Sequence, residues 1–75
     1  MRTRYGTPVT ILGRDTPDGD ANGNGPFLWT SRQYADGISY EWTSVQDLRP
    51  ENQADLDILA DPLNNNLPLA PEHAR

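Results

Sequence analysis

Apolar and polar residues alternate along the middle of the chain, a pattern typical of β-strands with one buried face. The alternation is clearest over Ile38–Thr43, where each apolar residue is followed by a polar one. We predict a strand there, preceded by a strand over Pro26–Ala35. The β-branched run Thr7–Leu12 predicts a first strand at the start of the chain.

The pair Asp36-Gly37 separates the second and third strands and predicts a two-residue hairpin turn, since a type I′ turn needs positive φ at both central residues. With this pair at the tip, Ala35 lies opposite Ile38 and Arg32 lies opposite Glu41. A cation facing a carboxylate is a favourable cross-strand pair, which supports this register.

The predicted register also assigns the two faces of the hairpin. Large aromatic residues dominate small cores, so we expect the face that carries them to be buried. The predicted core consists of Val9, Ile11, Trp29, Ile38, Tyr40 and Trp42. Leu28 and Tyr34 are expected on the outer face.

Two short elements are predicted after the third strand. Val45 and Leu48 are spaced for a 3₁₀ turn that brings both onto the core. Proline and acidic residues followed by Leu56 and Leu59 at helical spacing predict a helix of about three turns.

The chain is expected to divide into three parts. A β domain occupies residues 1–50, a short acidic helix occupies 51–61, and the polar, asparagine-rich remainder over 62–75 predicts a flexible tail.

This order of elements resembles that of the SH3-like small barrels of the Tudor and chromo-barrel kind. The resemblance covers residues 6–50, and the matching residues are Tyr34, Asp36-Gly37, Trp42 and Asp47-Leu48-Arg49-Pro50. It implies a mainly β, SH3-like antiparallel barrel of about four or five strands. In such barrels aromatic side chains near the loops can form a cage for methylated lysine or arginine. Small acidic chains of this type also resemble accessory proteins of bacteriophages or prophages.

Composition and charge narrow the classes of partner. The 75 residues carry a net charge of −5 and include no cysteine. The absence of cysteine removes disulfides and thiolate metal sites and fits the cytoplasm. The acidic field repels phosphate, so a basic protein surface is a better partner than nucleic acid. With no long apolar run and no apolar core of a signal peptide, we expect no membrane association.

One loop resembles a metal site. Asp18, Asp20, Asn22 and Gly23 have the spacing that opens a calcium-binding loop. Position twelve of that loop should be a bidentate Glu, and here it is Trp29. We therefore interpret the segment as a solvated turn region and predict no metal site, although weak calcium binding stays open.

The sequence predicts no catalytic site and no cofactor. His73 is the only histidine, and it lies in the predicted tail, where nothing would orient it as a general base. The serines have no histidine within the predicted folded part to activate them.

We therefore predict a non-catalytic protein-interaction module, of the phage accessory or host-protein inhibitor type. The predicted anchors are Leu28, Tyr34, Leu56 and Leu59, with Asp47, Asp55 and Asp57 attracting a basic partner. The alternatives are a nucleic-acid-binding SH3-like domain and a self-assembling structural (virion) component, that is, a homo-oligomer. Whether the segment 51–61 docks on its own domain or on a partner stays open.

Overall fold

The computed structural model describes residues 1–16 and 25–71. Within them the chain forms five strands, a 3₁₀ turn and one helix, namely β1 (Arg2–Thr3), β2 (Thr10–Arg14), β3 (Phe27–Tyr34), β4 (Gly37–Ser44), the turn Val45–Asp47, β5 (Leu48–Arg49) and α1 (Gln53–Ala60). Strands β2, β3 and β4 form one antiparallel sheet in that order, and β1 pairs antiparallel with β5. The mainly β class with a short helix is confirmed.

The turn of the β3–β4 hairpin differs from the predicted one. Tyr34 lies opposite Gly37, so Ala35 and Asp36 are the turn residues. Both have negative φ, which excludes a type I′ turn. Gly37 follows the turn with a φ of 141°, a conformation that favours glycine.

This shift moves the pairing by two residues. Arg32 lies opposite Ser39 rather than Glu41, so that part of the prediction is wrong. The Arg32 guanidinium still forms an ion pair with the Glu41 carboxylate, now as a diagonal neighbour. Because side chains alternate with a period of two, a shift of two residues leaves the membership of each face unchanged.

The two faces of the hairpin are nevertheless inverted relative to the prediction. Leu28 and Thr30 are both 0% exposed. Ile38 and Tyr40 are 57% and 59% exposed. The predicted aromatic core is therefore wrong, and Leu28, predicted on the outer face, lies in the interior.

Hydrogen bonds explain how a threonine-bearing face becomes the interior. The Thr30 hydroxyl donates to the Glu41 carbonyl oxygen at 2.9 Å, and its Oγ1 lies 3.0 Å from Thr43 Oγ1. A buried hydroxyl is tolerated once it is hydrogen-bonded. The polar residues on this face therefore do not oppose its burial.

The core is small and draws on most elements of the chain. Val9, Leu28 and Leu48 form its buried centre, and the partly buried residues packed against them are Met1, Ile11, Val45, Ile58, Leu59 and Leu67. The predictions for Val9 and Leu48 are confirmed. Helix α1 thus packs on the chain's own core, and its Leu56 side chain is 49% exposed.

Asn52 fixes the start of α1. Its side-chain oxygen accepts a hydrogen bond from the Asp55 backbone N–H at 2.9 Å. This bond satisfies one of the amide groups that a helix leaves unpaired in its first turn.

The segment Leu67–Ala70 lies beside β2, where the sequence predicted a flexible tail. The Arg14 backbone N–H donates to Pro68 O and the Ala70 N–H donates to Arg14 O, both at 2.9 Å. The Arg14 guanidinium adds bonds to Leu67 O at 2.9 Å and Leu63 O at 3.2 Å. The outer edge of β2 is therefore covered at Arg14 by the chain itself.

Candidate functional site

The outer face of the β3–β4 hairpin carries a continuous group of large side chains, which we call the aromatic surface: Trp29, Ile38, Tyr40 and Trp42. The Trp29 and Trp42 rings are 5.3 Å apart between centroids and tilted by 57°. The Trp29 and Tyr40 rings are 6.4 Å apart and nearly parallel, at 19°. Both tryptophans are half-buried, and Ile38 and Tyr40 are exposed.

The strand register positions these rings. Trp29 lies directly opposite Trp42, and Ser31 lies opposite Tyr40. Tyr40 is therefore a diagonal neighbour of Trp29, a separation that aromatic side chains can bridge. The hairpin holds the rings against one another on one face of the sheet, so they form a preformed apolar platform.

The aromatic surface itself carries no charged side chain. The charged residues of β3 and β4 are Arg32 and Glu41, which lie on the opposite face and form an ion pair. Asp36, at the hairpin turn, is exposed close to one end of the platform. With no carboxylate, imidazole or amine on the platform, the arrangement suits binding rather than proton transfer.

The structure does not bring the four predicted apolar anchors together. Leu28 is fully buried and cannot contact a partner, which corrects that prediction. Leu59 is half-buried against the core. Tyr34 is 45% exposed at the end of the hairpin, on the face opposite the aromatic surface, and Leu56 is 49% exposed on α1.

The three predicted acidic residues are engaged within the chain. The Asp47 carboxylate lies 3.2 Å from the Arg4 guanidinium. The Asp55 carboxylate lies 3.3 Å from the Met1 α-amino group. Asp57 accepts a hydrogen bond from the Gln53 side-chain amide at 2.9 Å.

The Met1 α-amino group forms the best-defined electrostatic cluster, with Glu51 at 2.7 Å and Asp55 at 3.3 Å. Burial opposes protonation of this amine, but the hydrogen bonds to Glu51 and Asp55 and the attraction of their charges together outweigh burial and raise its pKa above the ordinary value of an α-amino group. The hydrogen bond from the amine lowers the pKa of Glu51 below the ordinary value of a glutamate. The cluster ties the start of the chain to the beginning of α1.

The calcium-like residues Asp18, Asp20, Asn22 and Gly23, and also His73, lie outside the described residues. Within residues 1–16 and 25–71, no three His, Cys, Asp or Glu side chains are grouped closely enough to hold a metal ion. No helix in that part of the chain is long and apolar enough to cross a bilayer.

Sequence reasoning identified the residues of the aromatic surface but placed them inside. Period-two alternation shows that two faces differ, and it does not show which face is buried. The signal available was the position of Leu28, which shares its face with two threonines that can bond to each other across the strands.

No protein-family model, curated protein or solved structure matches this chain.

Proposed function

We propose that the protein is a non-catalytic protein-interaction module and that the aromatic surface is its contact site. The observation that supports this is the exposure of Ile38 and Tyr40 beside two half-buried tryptophans on one rigid hairpin. Contiguous exposed apolar side chains on a small domain mark interaction sites. Tyrosine and tryptophan are also the residues most enriched where binding free energy is concentrated.

A partner with a basic surface fits the charge of the chain. The net charge of −5 steers cations toward the molecule. Aromatic ring faces attract lysine and arginine side chains at close range. The platform would supply apolar and cation–π contacts, and the surrounding acids would accelerate association.

Nucleic acid fits less well because the arginines of residues 1–16 and 25–71 already have partners. The five arginines among the described residues bond to carboxylates or to backbone carbonyls of the same chain: Arg2 with Glu51, Arg4 with Asp47, Arg14 with Leu67 O, Arg32 with Glu41 and Arg49 with Gln46 O. Binding of a phosphate backbone relies on such cations.

Three finer expectations belong to the same proposal. The order of elements in this chain, a sheet followed by a 3₁₀ turn and β5, resembles that of SH3-like barrels. The resemblance to small bacteriophage accessory proteins, including inhibitors of host proteins, suggests a setting for such a module. The absence of cysteine is compatible with a cytoplasmic location.

The test is capture of partners from a cell lysate with matched tyrosine variants. Tyr40→Ser removes an exposed ring from the aromatic surface, and Tyr5→Ser removes a ring that is 79% exposed elsewhere. We expect Tyr40→Ser to lose the captured protein and Tyr5→Ser to retain it. Equal retention by both variants would contradict the proposed site.

A purified partner allows a direct measurement. Trp29 and Trp42 are the only tryptophans and both lie on the aromatic surface. Intrinsic fluorescence should therefore change on titration with the partner. A complex that forms without any change in tryptophan emission would place the contact elsewhere.

A further inference from the structure

We propose that β4 pairs with the β4 strand of a second copy of this chain, in an antiparallel arrangement that joins two sheets edge to edge. The proposal concerns the backbone edge of β4 and does not rest on the binding role assigned to the aromatic surface, although Ile38 and Tyr40 take part in both.

The two edges of the β2–β3–β4 sheet differ. The edge at β2 is covered at Arg14 by the segment Leu67–Ala70, as described above. Within the described part of the chain, no strand lies along the outer edge of β4. The chain's own residues therefore cover part of the β2 edge, whereas the described residues place no strand beside β4.

The direction of the backbone groups can be derived along β4. The Glu41 carbonyl oxygen accepts a hydrogen bond from the Thr30 hydroxyl, and the Val45 backbone N–H, four residues further along, donates to Pro26 O, so the backbone groups of both residues face β3. Along an antiparallel pair of strands, opposite residues that exchange backbone hydrogen bonds alternate with opposite residues whose N–H and C=O groups point away from the partner strand. The N–H and C=O groups of Ile38 and Tyr40 therefore point outward, away from β3.

Strand β4 lacks the features that keep a free edge from pairing. Natural proteins protect such edges with lysine, proline or a bulge. The segment Gly37–Glu41 contains none of these residues, and the irregularity in pairing lies in β2, between Ile11 and Gly13. Its one charged residue, Glu41, is neutralised by Arg32.

This local neutrality favours a second copy over a basic partner at this edge. Two chains of net charge −5 repel each other overall, so self-pairing requires a strip where no like charges meet. With Ser39 on the two-fold axis, Ile38 of each copy lies opposite Tyr40 of the other, and Glu41 lies opposite Gly37. An aromatic side chain opposite a β-branched one is a favourable pair, and it occurs twice by symmetry.

The first test measures mass against concentration by sedimentation equilibrium. We expect a monomer–dimer equilibrium, with Tyr40→Glu weakening the dimer by about tenfold or more because both symmetric pairs are lost. Ile38 and Tyr40 are more than half exposed, so the variants should keep the fold, which circular dichroism checks. A wild-type chain that stays monomeric to millimolar concentration would overturn the proposal.

Charge exchange tests the register. Ile38→Lys and Tyr40→Glu should each be largely monomeric alone at a concentration where the wild-type chain dimerises. In an equimolar mixture they should form a heterodimer, because the introduced lysine of one chain lies opposite the introduced glutamate of the other while one Ile–Tyr pair remains. Absence of the heterodimer would refute the proposed pairing.

Crosslinking gives a second, independent readout, since the chain has no cysteine of its own. Under mild oxidation Ser39→Cys should form a disulfide-linked dimer, because residues on the axis face each other within disulfide range. Thr10→Cys, at the exposed first position of β2, is the control and should stay monomeric. Equal crosslinking of both variants would indicate random collision and refute the interface. Whatever the oligomeric state, the tryptophan titration with a partner reports separately on the proposed function.

Discussion

The inverted faces of the hairpin make a sharp prediction about stability. Leu28→Ala should destabilise the protein far more than Ile38→Ala, although both remove a large aliphatic side chain from the same hairpin. Leu28 is 0% exposed and lies in the central cluster with Val9 and Leu48. Ile38 is 57% exposed, so less than half of its surface is removed from water.

The expected magnitudes follow from these exposures. Truncation of a fully buried leucine to alanine costs about 2–5 kcal/mol, which combines lost transfer free energy with the cavity left behind. For Ile38→Ala we expect about 1 kcal/mol or less. A chain of 75 residues has a total stability of about 4–11 kcal/mol, so Leu28→Ala removes a large part of it.

Urea unfolding followed by far-ultraviolet circular dichroism is the assay. In case Leu28→Ala does not fold, Leu28→Met conserves volume and should cost less than about 1.5 kcal/mol, which keeps a measurable transition. If Ile38→Ala proved more destabilising than Leu28→Ala, the aromatic face would be the interior and the reasoning from burial would be wrong.

Three further outcomes are expected. Gly13→Ala should destabilise the protein by about 1–3 kcal/mol, because a Cβ there would lie 2.9 Å from the backbone oxygen of Pro68. Urea unfolding of the variant measures this loss, and an unchanged unfolding midpoint would contradict the close contact. Asn52→Ala should lower the free energy of unfolding by about 1 kcal/mol because it removes the cap of α1, and the melting temperature should fall. Asn52→Asp should retain the cap and the melting temperature. Glu51 has a lowered pKa, so its contribution to stability is lost as pH falls through its folded value; the Met1 amine has a raised pKa, so its contribution is lost as pH rises through its folded value. Stability from this pair should therefore be fullest in the pH range between the ordinary pKa of a glutamate and that of an α-amino group, and Glu51→Gln should reduce both slopes in a pH series of melting temperatures.

Local pattern was sufficient for the three strands of the main sheet, the hairpin and the short helix, because each depends on residues close in sequence, whereas the two-residue strands β1 and β5 were not predicted. The register was missed by two residues because the sequence does not show whether Gly37 lies within the turn or follows it. Glycine is suited to both positions. The pair Asp36-Gly37 therefore predicts the position of the hairpin but not the register in which its two strands pair.

The inversion of faces and the position of the C-terminal segment had a different cause. Burial of Thr30 depends on a bond to Thr43 across the strands, and the segment Leu67–Ala70 is held by Arg14, which is 53 residues from Leu67. Neither contact produces a pattern of apolar and polar residues from which it could be predicted. The aromatic surface was therefore recognised by its residues and assigned to the wrong side.

The long separation between Arg14 and its carbonyl partners also sets an order for folding. The β3–β4 hairpin joins residues close in sequence, whereas the contact of Arg14 with Leu67 closes a loop of 53 residues and carries a larger entropic cost. Non-local contacts of this kind form late on a folding pathway. We expect the nascent sheet to expose both edges until the last segment docks, so chains are most prone to associate wrongly in the interval before Arg14 is satisfied.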